Sequence, residues 1–487
     1  MATYKLDPGQ VVDGFTIGRK VHQGGMAVFY EVSHPDHAIP LLMKVPILAE
    51  GEDPAAIVGF EMEQMILPRL TGRHVPHFIA SGDFSVQPYL VYERIEGDTL
   101  EPLTQKLPLP PEEIATLAAK VATALHDLHS QHVVHLDIKP SNIILRAGDG
   151  QAVLIDYGLS HHLQLPDLMA EEFRVPYGTA PYMAPEQVFG IRSEPRSDLF
   201  ALGVLMYFFA TGAQPFGDPQ TLKGLKRRIW WDPAPPRKLN PKFPPWLQEI
   251  ILRCLSIDPE ARHPTAAQLA FDLTHPDQVH LTPRAAKVAR DPWGLRLKRR
   301  LHPEAFRPVV QRGERLSAKI NTAPIVAVAV DLAESHHELN DALRTTVERV
   351  LSTVPDARLA CLNVLKTNLL APDATVDDSG HSIHVHRLVQ LKDWSRAMKI
   401  APERISYHVL EAVDAGAAIL DYVNANRVDH VVLGARTDAR FRNILGSVSI
   451  EIVQKAPCTV TVVRKQRNVT VEADDEQVPT DAKSTRP

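Results

Sequence analysis

A chain of 487 residues, 44% hydrophobic and 23% charged, has the composition of ordinary globular protein and room for about two to four domains. Its net charge of −5 gives no global attraction to nucleic acid. Three cysteines far apart in sequence, Cys254, Cys361 and Cys458, argue against a disulfide framework or a zinc ribbon and predict a reducing, cytoplasmic setting. Residues 1–20 carry Gly, Asp and Pro without an apolar core of secretory-signal length. No run of about 18 apolar residues marks a membrane span. The longest apolar stretch, Leu199 to Ala210, has the length of a buried helix.

In chain order, the first informative segment is Val21-His22-Gln23-Gly24-Gly25-Met26-Ala27-Val28-Phe29-Tyr30, whose glycines would let backbone N–H groups approach phosphate oxygens. In Leu41-Leu42-Met43-Lys44-Val45 a lysine sits inside an apolar run, which argues against a solvated edge strand. His135-Leu136-Asp137-Ile138-Lys139-Pro140-Ser141-Asn142 carries the most information. Its Asp, a Lys two residues on and an Asn three further suit phosphoryl transfer: one orients a hydroxyl, one neutralises charge, one holds a metal ion. Asp156-Tyr157-Gly158 follows 19 residues after Asp137 and ends the apolar run Ala152-Val153-Leu154-Ile155, which reads as a buried strand. A carboxylate leaving a strand before a Gly can reach Mg²⁺ where phosphates sit.

The order and spacing of these pieces resemble bacterial-type Ser/Thr protein kinases of the Hanks type over residues 10–276, with HLD and DYG in place of HRD and DFG. The resemblance implies a bilobal α+β kinase fold, ATP with Mg²⁺ (or Mn²⁺), and transfer of the γ-phosphate to protein Ser or Thr. It makes Asp137 and Lys139 catalytic, Asn142 and Asp156 metal ligands, and Gly24, Gly25, Lys44, Glu63 and the backbone near Glu93 the nucleotide site. The loop departs from G-x-G-x-x-G, holding His22, Gly24 and Ala27 at its three positions. Phe60-Glu61-Met62-Glu63 offers two partners for Lys44, and spacing prefers Glu63. Tyr92 takes the gatekeeper position. Thr179 would bond Asp137 and Lys139, and Asp198, Gly203 and the Glu186–Arg262 pair would brace the fold. Leu136 stands where the family's activating Arg stands, and residues 161–178 hold no Ser or Thr, only Tyr177. Both departures predict an enzyme that does not require activation-loop phosphorylation. The alternative is a weak or inactive pseudokinase acting as a nucleotide-binding scaffold.

Residues 277–320 read as a basic connector: seven Lys or Arg and one Asp fall between Arg284 and Arg300, interleaved with Trp293, Leu295 and Leu297. Such a stretch is either peripheral to an anionic membrane or a solvated linker that packs Trp293 onto one of its neighbours. Residues 321–465 alternate apolar strands with helical patterns, the signature of a parallel α/β sheet. The end of this region, from Gly434 through Gly446-Ser447 to Thr459–Val463, resembles universal stress proteins. That family has a Rossmann-like fold and a G-x2-G-x9-G-[ST] phosphate loop, which implies a nucleotide at Asp331, Gly434, Gly446 and Ser447. Here the second Gly is Thr437, and eight residues separate it from Gly446. Nucleotide sensing and homodimerisation through the last strand both stay open. His381, His384 and His386 suggest a polar strand edge, with metal binding as the rarer alternative. Residues 466–487 read as a disordered polar tail.

Overall fold

The computed structural model describes residues 6–47, 54–173, 176–301, 324–332, 337–354, 356–367, 382–435 and 446–464. His381, Thr437 and the tail 466–487 lie outside the described residues.

Strands β1 (Val11–Val12), β2 (Phe15–Gln23), β3 (Ala27–His34), β4 (His37–Pro46), β5 (Phe78–Gly82) and β6 (Tyr89–Glu93) form one sheet in the order β1-β2-β3-β4-β6-β5. Period-two alternation sends Leu41, Met43 and Val45 of β4 into a core with Ile17, Tyr30 and Val91. Helix α1 (Pro54–Ile66) is buried along its whole length from Ala55 to Glu63. A helix packed on one side keeps a polar face in water, whereas Ala-Ala-Ile-Val-Gly-Phe-Glu-Met has no such face.

Below the sheet, α2 (Pro111–Ser130) presents Ile114, Val121, Leu125 and Leu128 to the core at helical spacing. Strands β7 (Gly97–Thr99), β9 (Ile143–Arg146) and β10 (Ala152–Leu154) form a small sheet, and β8 (Val133–Val134) pairs with β11 (His161–His162). A one-and-a-half-turn helix, α3 (Leu168–Glu172), follows, its first turn capped by Asp167, which accepts from Ala170 N at 3.2 Å. Then come α4 (Arg196–Thr211), buried from Ser197 to Tyr207, and the amphipathic α5 (Pro245–Cys254) and α6 (Ala266–Thr274).

The basic stretch is bonded to this unit through Thr282 and Arg284 on Glu249 and Lys287 on Asp232, and it ends in helix α7 (Trp293–Leu301). Trp293 does not pack onto a neighbour; it is 70% exposed. Arg290 and Arg300 cover Trp231 and Trp230 instead, with guanidinium-to-ring distances of 4.9 and 5.3 Å.

The C-terminal unit is a five-stranded parallel sheet in the order β14-β13-β12-β15-β16. In chain order it comprises β12 (Ile325–Ala329), α8 (His337–Thr353), β13 (Arg358–Lys366), α9 (Ile383–Arg396), β14 (Ile405–Ala412), α10 (Ala415–Asn426), β15 (His430–Gly434), α11 (Ser447–Lys455) and β16 (Thr459–Val463). Its strands are apolar on both faces because helices cover both: Val326, Val328 and Cys361 face Leu343 and Leu388, while Ala327, Ala360 and Leu362 face Ile419, Val423 and Ile452. This is the doubly wound, Rossmann-like arrangement.

His384 and His386 are not on a strand. They lie in the first turn of α9, capped by Ser382, whose Oγ accepts from Val385 N at 3.4 Å. Residues two apart on a helix point to different sides: His384 is buried and meets Glu411 at 3.2 Å, while His386 is exposed. Core packing of Val385, Leu388 and Leu391 decides the helix. No cluster of three or more His, Cys, Asp and Glu placed to hold a metal ion occurs among the described residues, and no helix there is long and apolar enough to cross a membrane.

Candidate active site

The site lies where the upper sheet faces the small sheet below it. Lys44, on β4, lies opposite Phe29 of β3 in register, and its Nζ is 5.8 Å from that ring. It is buried and meets Glu63 Oε2 at 2.6 Å and Asp156 Oδ1 at 2.9 Å. Burial alone would lower the lysine pKa, but the Asp156 and Glu63 carboxylates outweigh it and hold it above its ordinary value. Lys44 in turn draws the Asp156 pKa down. Glu61, two residues before Glu63 and so on the opposite side of the helix, does not meet Lys44; it pairs with Lys392 of α9 at 2.6 Å.

Asp137 stands at the centre of a second network. Its Oδ1 accepts from Thr179 N at 3.1 Å and Thr179 Oγ1 at 2.7 Å. Its Oδ2 accepts from Lys139 Nζ at 2.7 Å and Asn142 Nδ2 at 3.0 Å. Lys139 also donates to Thr179 Oγ1 at 3.0 Å. Asn142 uses its amide nitrogen on Asp137, and its Oδ1 accepts from Ser141 Oγ at 3.5 Å. The loop carrying these groups is strained at Leu136, whose φ of 64° costs a bulky residue about 1–3 kcal/mol; Asp156, after β10, also has a positive φ of 68°. Buried Asp198 of α4 over-determines the loop, accepting from His135 N at 2.9 Å and Leu136 N at 2.8 Å. Gly158 lies close against α1: a Cβ there would be 3.2 Å from the Gly59 carbonyl oxygen, tight enough that the helix would have to give by a few tenths of an ångström. Tyr157 is buried and satisfies its hydroxyl on Leu154 O at 2.9 Å.

The remaining predicted residues fall around this centre. Gly24 and Gly25 form the turn between β2 and β3, closed by Gly24 N donating to Ala27 O at 2.9 Å. Tyr92 is buried in β6. The Glu93 and Arg94 N–H groups are spent on His77 O and Pro40 O, and the Glu93 carboxylate holds Arg146 at 2.5 Å. Glu186 and Arg262, both fully buried, form a fork at 2.6 and 2.8 Å. Asp331, Gly434, Gly446 and Ser447 are elsewhere, lining a cleft at the carboxyl ends of β12 and β15.

Sequence reasoning missed Arg228. The run Lys226-Arg227-Arg228 reads as solvated, yet Arg228 is fully buried and donates to Leu225 O, Ala180 O and Met183 O, holding the segment after Thr179. Burial pulls its pKa down to about 10, so it stays cationic at neutral pH. Apolar Leu225 and Ile229 on either side were the available signal.

The family model described as "Protein kinase domain" matches residues 15–272, more than half of the chain. The chain belongs to the protein kinase family. A second model, "Universal stress protein family", matches residues 324–464. The kinase region is similar to Serine/threonine-protein kinase PknL of Mycobacterium tuberculosis, 29% identical over 260 residues that cover 53% of this chain and 64% of that protein. It is also similar to PknB of Mycobacterium leprae, 28% identical over 58% of this chain and 46% of that protein, and to the probable kinase PkwA of Thermomonospora curvata, 32% identical over 56% and 36%. The chain thus spans less than two thirds of the length of these relatives. Among solved structures, the Mycobacterium tuberculosis PknI kinase domain aligns at 22% identity and TM-score 0.45, covering 56% of this chain and 100% of that one.

Proposed function

We propose that the chain is a protein-serine/threonine kinase that moves the ATP γ-phosphate to a Ser or Thr hydroxyl of a protein substrate. The observation that carries this reading is the joint presence of the Asp137–Lys139–Asn142–Thr179 network and the Lys44–Glu63–Asp156 group. Asp137 orients the incoming hydroxyl and accepts its proton, and Lys139 offsets charge on the moving group. Lys44, steadied by Glu63, holds phosphate oxygens, with the Gly24 and Gly25 backbone above them. Asn142 Oδ1 and the Asp156 carboxylate are hard oxygen donors and fit Mg²⁺ or Mn²⁺; the metal, when bound, supplies neutralisation of phosphate charge. The committed N–H groups of Glu93 and Arg94 leave the Glu93 carbonyl and the Ile95 N–H to meet adenine. Thr179, shared by Asp137 and Lys139, supports Ser/Thr preference.

The test is label transfer from radiolabelled ATP to a generic protein substrate by the full chain, with and without Asp137→Asn. Transfer by the wild type and its loss in the variant are expected; equal labelling removes the assignment. The degenerate loop, with His22 and Ala27 at glycine positions, favours a second reading as a nucleotide-binding scaffold. ATP binding without transfer by the wild type would establish that one.

Activity is expected without phosphate on the activation loop. Leu136 is buried, and its backbone oxygen accepts from Gln187 Nε2 at 3.0 Å, so nothing there meets a phosphate. Phosphatase-treated enzyme, checked by mass spectrometry of residues 161–178, should keep its rate. A rate that collapses with loss of phosphate from that segment rules the idea out.

For the C-terminal domain we favour nucleotide sensing. Its cleft lies between β12 and β15, where the strand order reverses, the usual binding place of such sheets. Asn363 Oδ1, buried in the cleft wall, lacks a hydrogen-bond partner, and α11 begins there at Ser447. Calorimetry on the full chain should give two ATP per chain, and one after Ser447→Asp places a negative charge at the α11 start. One per chain in both would leave dimerisation through the edge strand β16 as the domain's role. The three cysteines are free thiols, which supports a cytoplasmic setting.

A further inference from the structure

Three features have no part in the chemistry above. Helix α1 is buried on the side turned away from Lys44 as well as the side facing it. Glu61, on the former side, is almost fully buried and paired with Lys392 of the C-terminal domain at 2.6 Å. Lys392 Nζ also lies 5.0 Å from the Phe84 ring and 5.8 Å from Tyr407. Glu171, in α3 of the activation segment, is buried among C-terminal residues: Arg358 at 2.8 Å, His408 Nε2 at 2.9 Å and Tyr422 OH at 3.0 Å. The neighbouring Glu172 meets His408 Nδ1 at 3.1 Å. Helix α3 also packs against α1. The C-terminal domain therefore grips both elements that must be correctly placed for Lys44, Glu63 and Asp156 to meet.

We propose that the C-terminal domain positions the kinase site: Lys392 on Glu61 holds α1 inward, and Arg358, His408 and Tyr422 on Glu171 order the activation segment. This supplies in cis the ordering that a loop phosphate brings through new arginine pairs, in a chain with no Ser or Thr at 161–178. The clamp rests on the kinase reading. Its residues touch no reacting atom, so they are positioning residues. Charge balance agrees with a fixed contact. Burial lowers the His408 pKa, but Glu171 and Glu172 prevail and raise it to about 9, so the ring is cationic at neutral pH. Burial raises the Glu171 pKa, yet His408 and Arg358 bring it down to about 2. Because the docked His408 pKa is raised, its contribution is complete below its ordinary value of 6.5 and is lost as pH rises through about 9. Facing this centre are Glu171 and Glu172 from α3, Arg358 from β13, Tyr422 from α10, and, through Glu172, His384 and Glu61.

Full-length Lys392→Met and Arg358→Met should each lower kcat for a generic protein substrate by roughly 5- to 50-fold, the range of an ordinary coupling between sites. The KM for ATP should stay within about twofold, and Lys392→Arg, which keeps the charge on Glu61, should keep most of the rate. Hydrogen exchange at amides 168–172 should quicken in both methionine variants. Wild-type rates and unchanged exchange overturn the proposal. A rate that rises also overturns it, since the domain would then restrain the kinase. If the wild type transfers no more label than Asp137→Asn, the kinase reading fails, and exchange at 168–172 still reports separately whether the clamp orders the segment.

Discussion

Asp156→Ala is expected to reduce phosphoryl transfer at least about a hundredfold and leave the fold intact. Its side chain is 45% exposed toward the cleft, so the substitution opens no core cavity. It removes one of two hard-oxygen donors, and a metal held by Asn142 alone would bind weakly. It also removes one counter-ion of Lys44, leaving Glu63 at 2.6 Å to hold that cation. The prediction is a circular-dichroism spectrum and melting temperature near wild type with phosphate transfer close to background. Transfer near the wild-type rate would show that Asp156 holds no catalytic metal. A large loss of melting temperature would show that the Lys44–Asp156 pair is structural.

Arg262→Met is expected to have the largest effect on stability. Arg262 and Glu186 are both fully buried, and Arg262 also donates to the carbonyls of Ser256, Arg196 and Ile257 while lying 5.0 Å from the Phe200 ring. Methionine fills much of the volume but leaves Glu186 as a buried, unpaired carboxylate whose remaining partner is the Ser197 hydroxyl at 2.7 Å. Removing one member of such a pair costs about 3–5 kcal/mol, which for a domain of this size lowers Tm by roughly 10 °C. Adding Glu186→Gln to Arg262→Met should recover part of the loss, because the orphaned charge is gone. Differential scanning calorimetry reads both. A single variant within about 2 °C of wild type would mean that water or another cation compensates Glu186.

Much of this molecule was legible as sequence. Groups that handle phosphate and metal must be of particular types at particular spacings, because the chain between them is a short strand or loop of set reach. Asp137, Lys139 and Asn142 are confined to one loop, and Asp156 ends the strand that pairs beside it. The parallel sheet was legible for a similar reason. Strands buried on both faces are continuous apolar runs, and Ile325–Ala329 is such a run.

What the sequence did not yield depends on which surface meets which. His384 and His386 read as a strand edge because alternation over a few residues is a weak signal; packing of Val385, Leu388 and Leu391 against the sheet made it a helix. Arg228 was missed because nothing local says that the Ala180 and Met183 carbonyls of a distant segment converge on it. Glu61 read as the second candidate partner for Lys44, and nothing along the chain pairs Glu171. Only the docking of a second domain, which brings Lys392 to Glu61 across 331 positions and His408 to Glu171 across 237, turns them into buried ion pairs. A pair's energy depends on separation and local dielectric, and neither exists along a linear chain before it folds. The composition of the domains was local information; their mutual grip was tertiary.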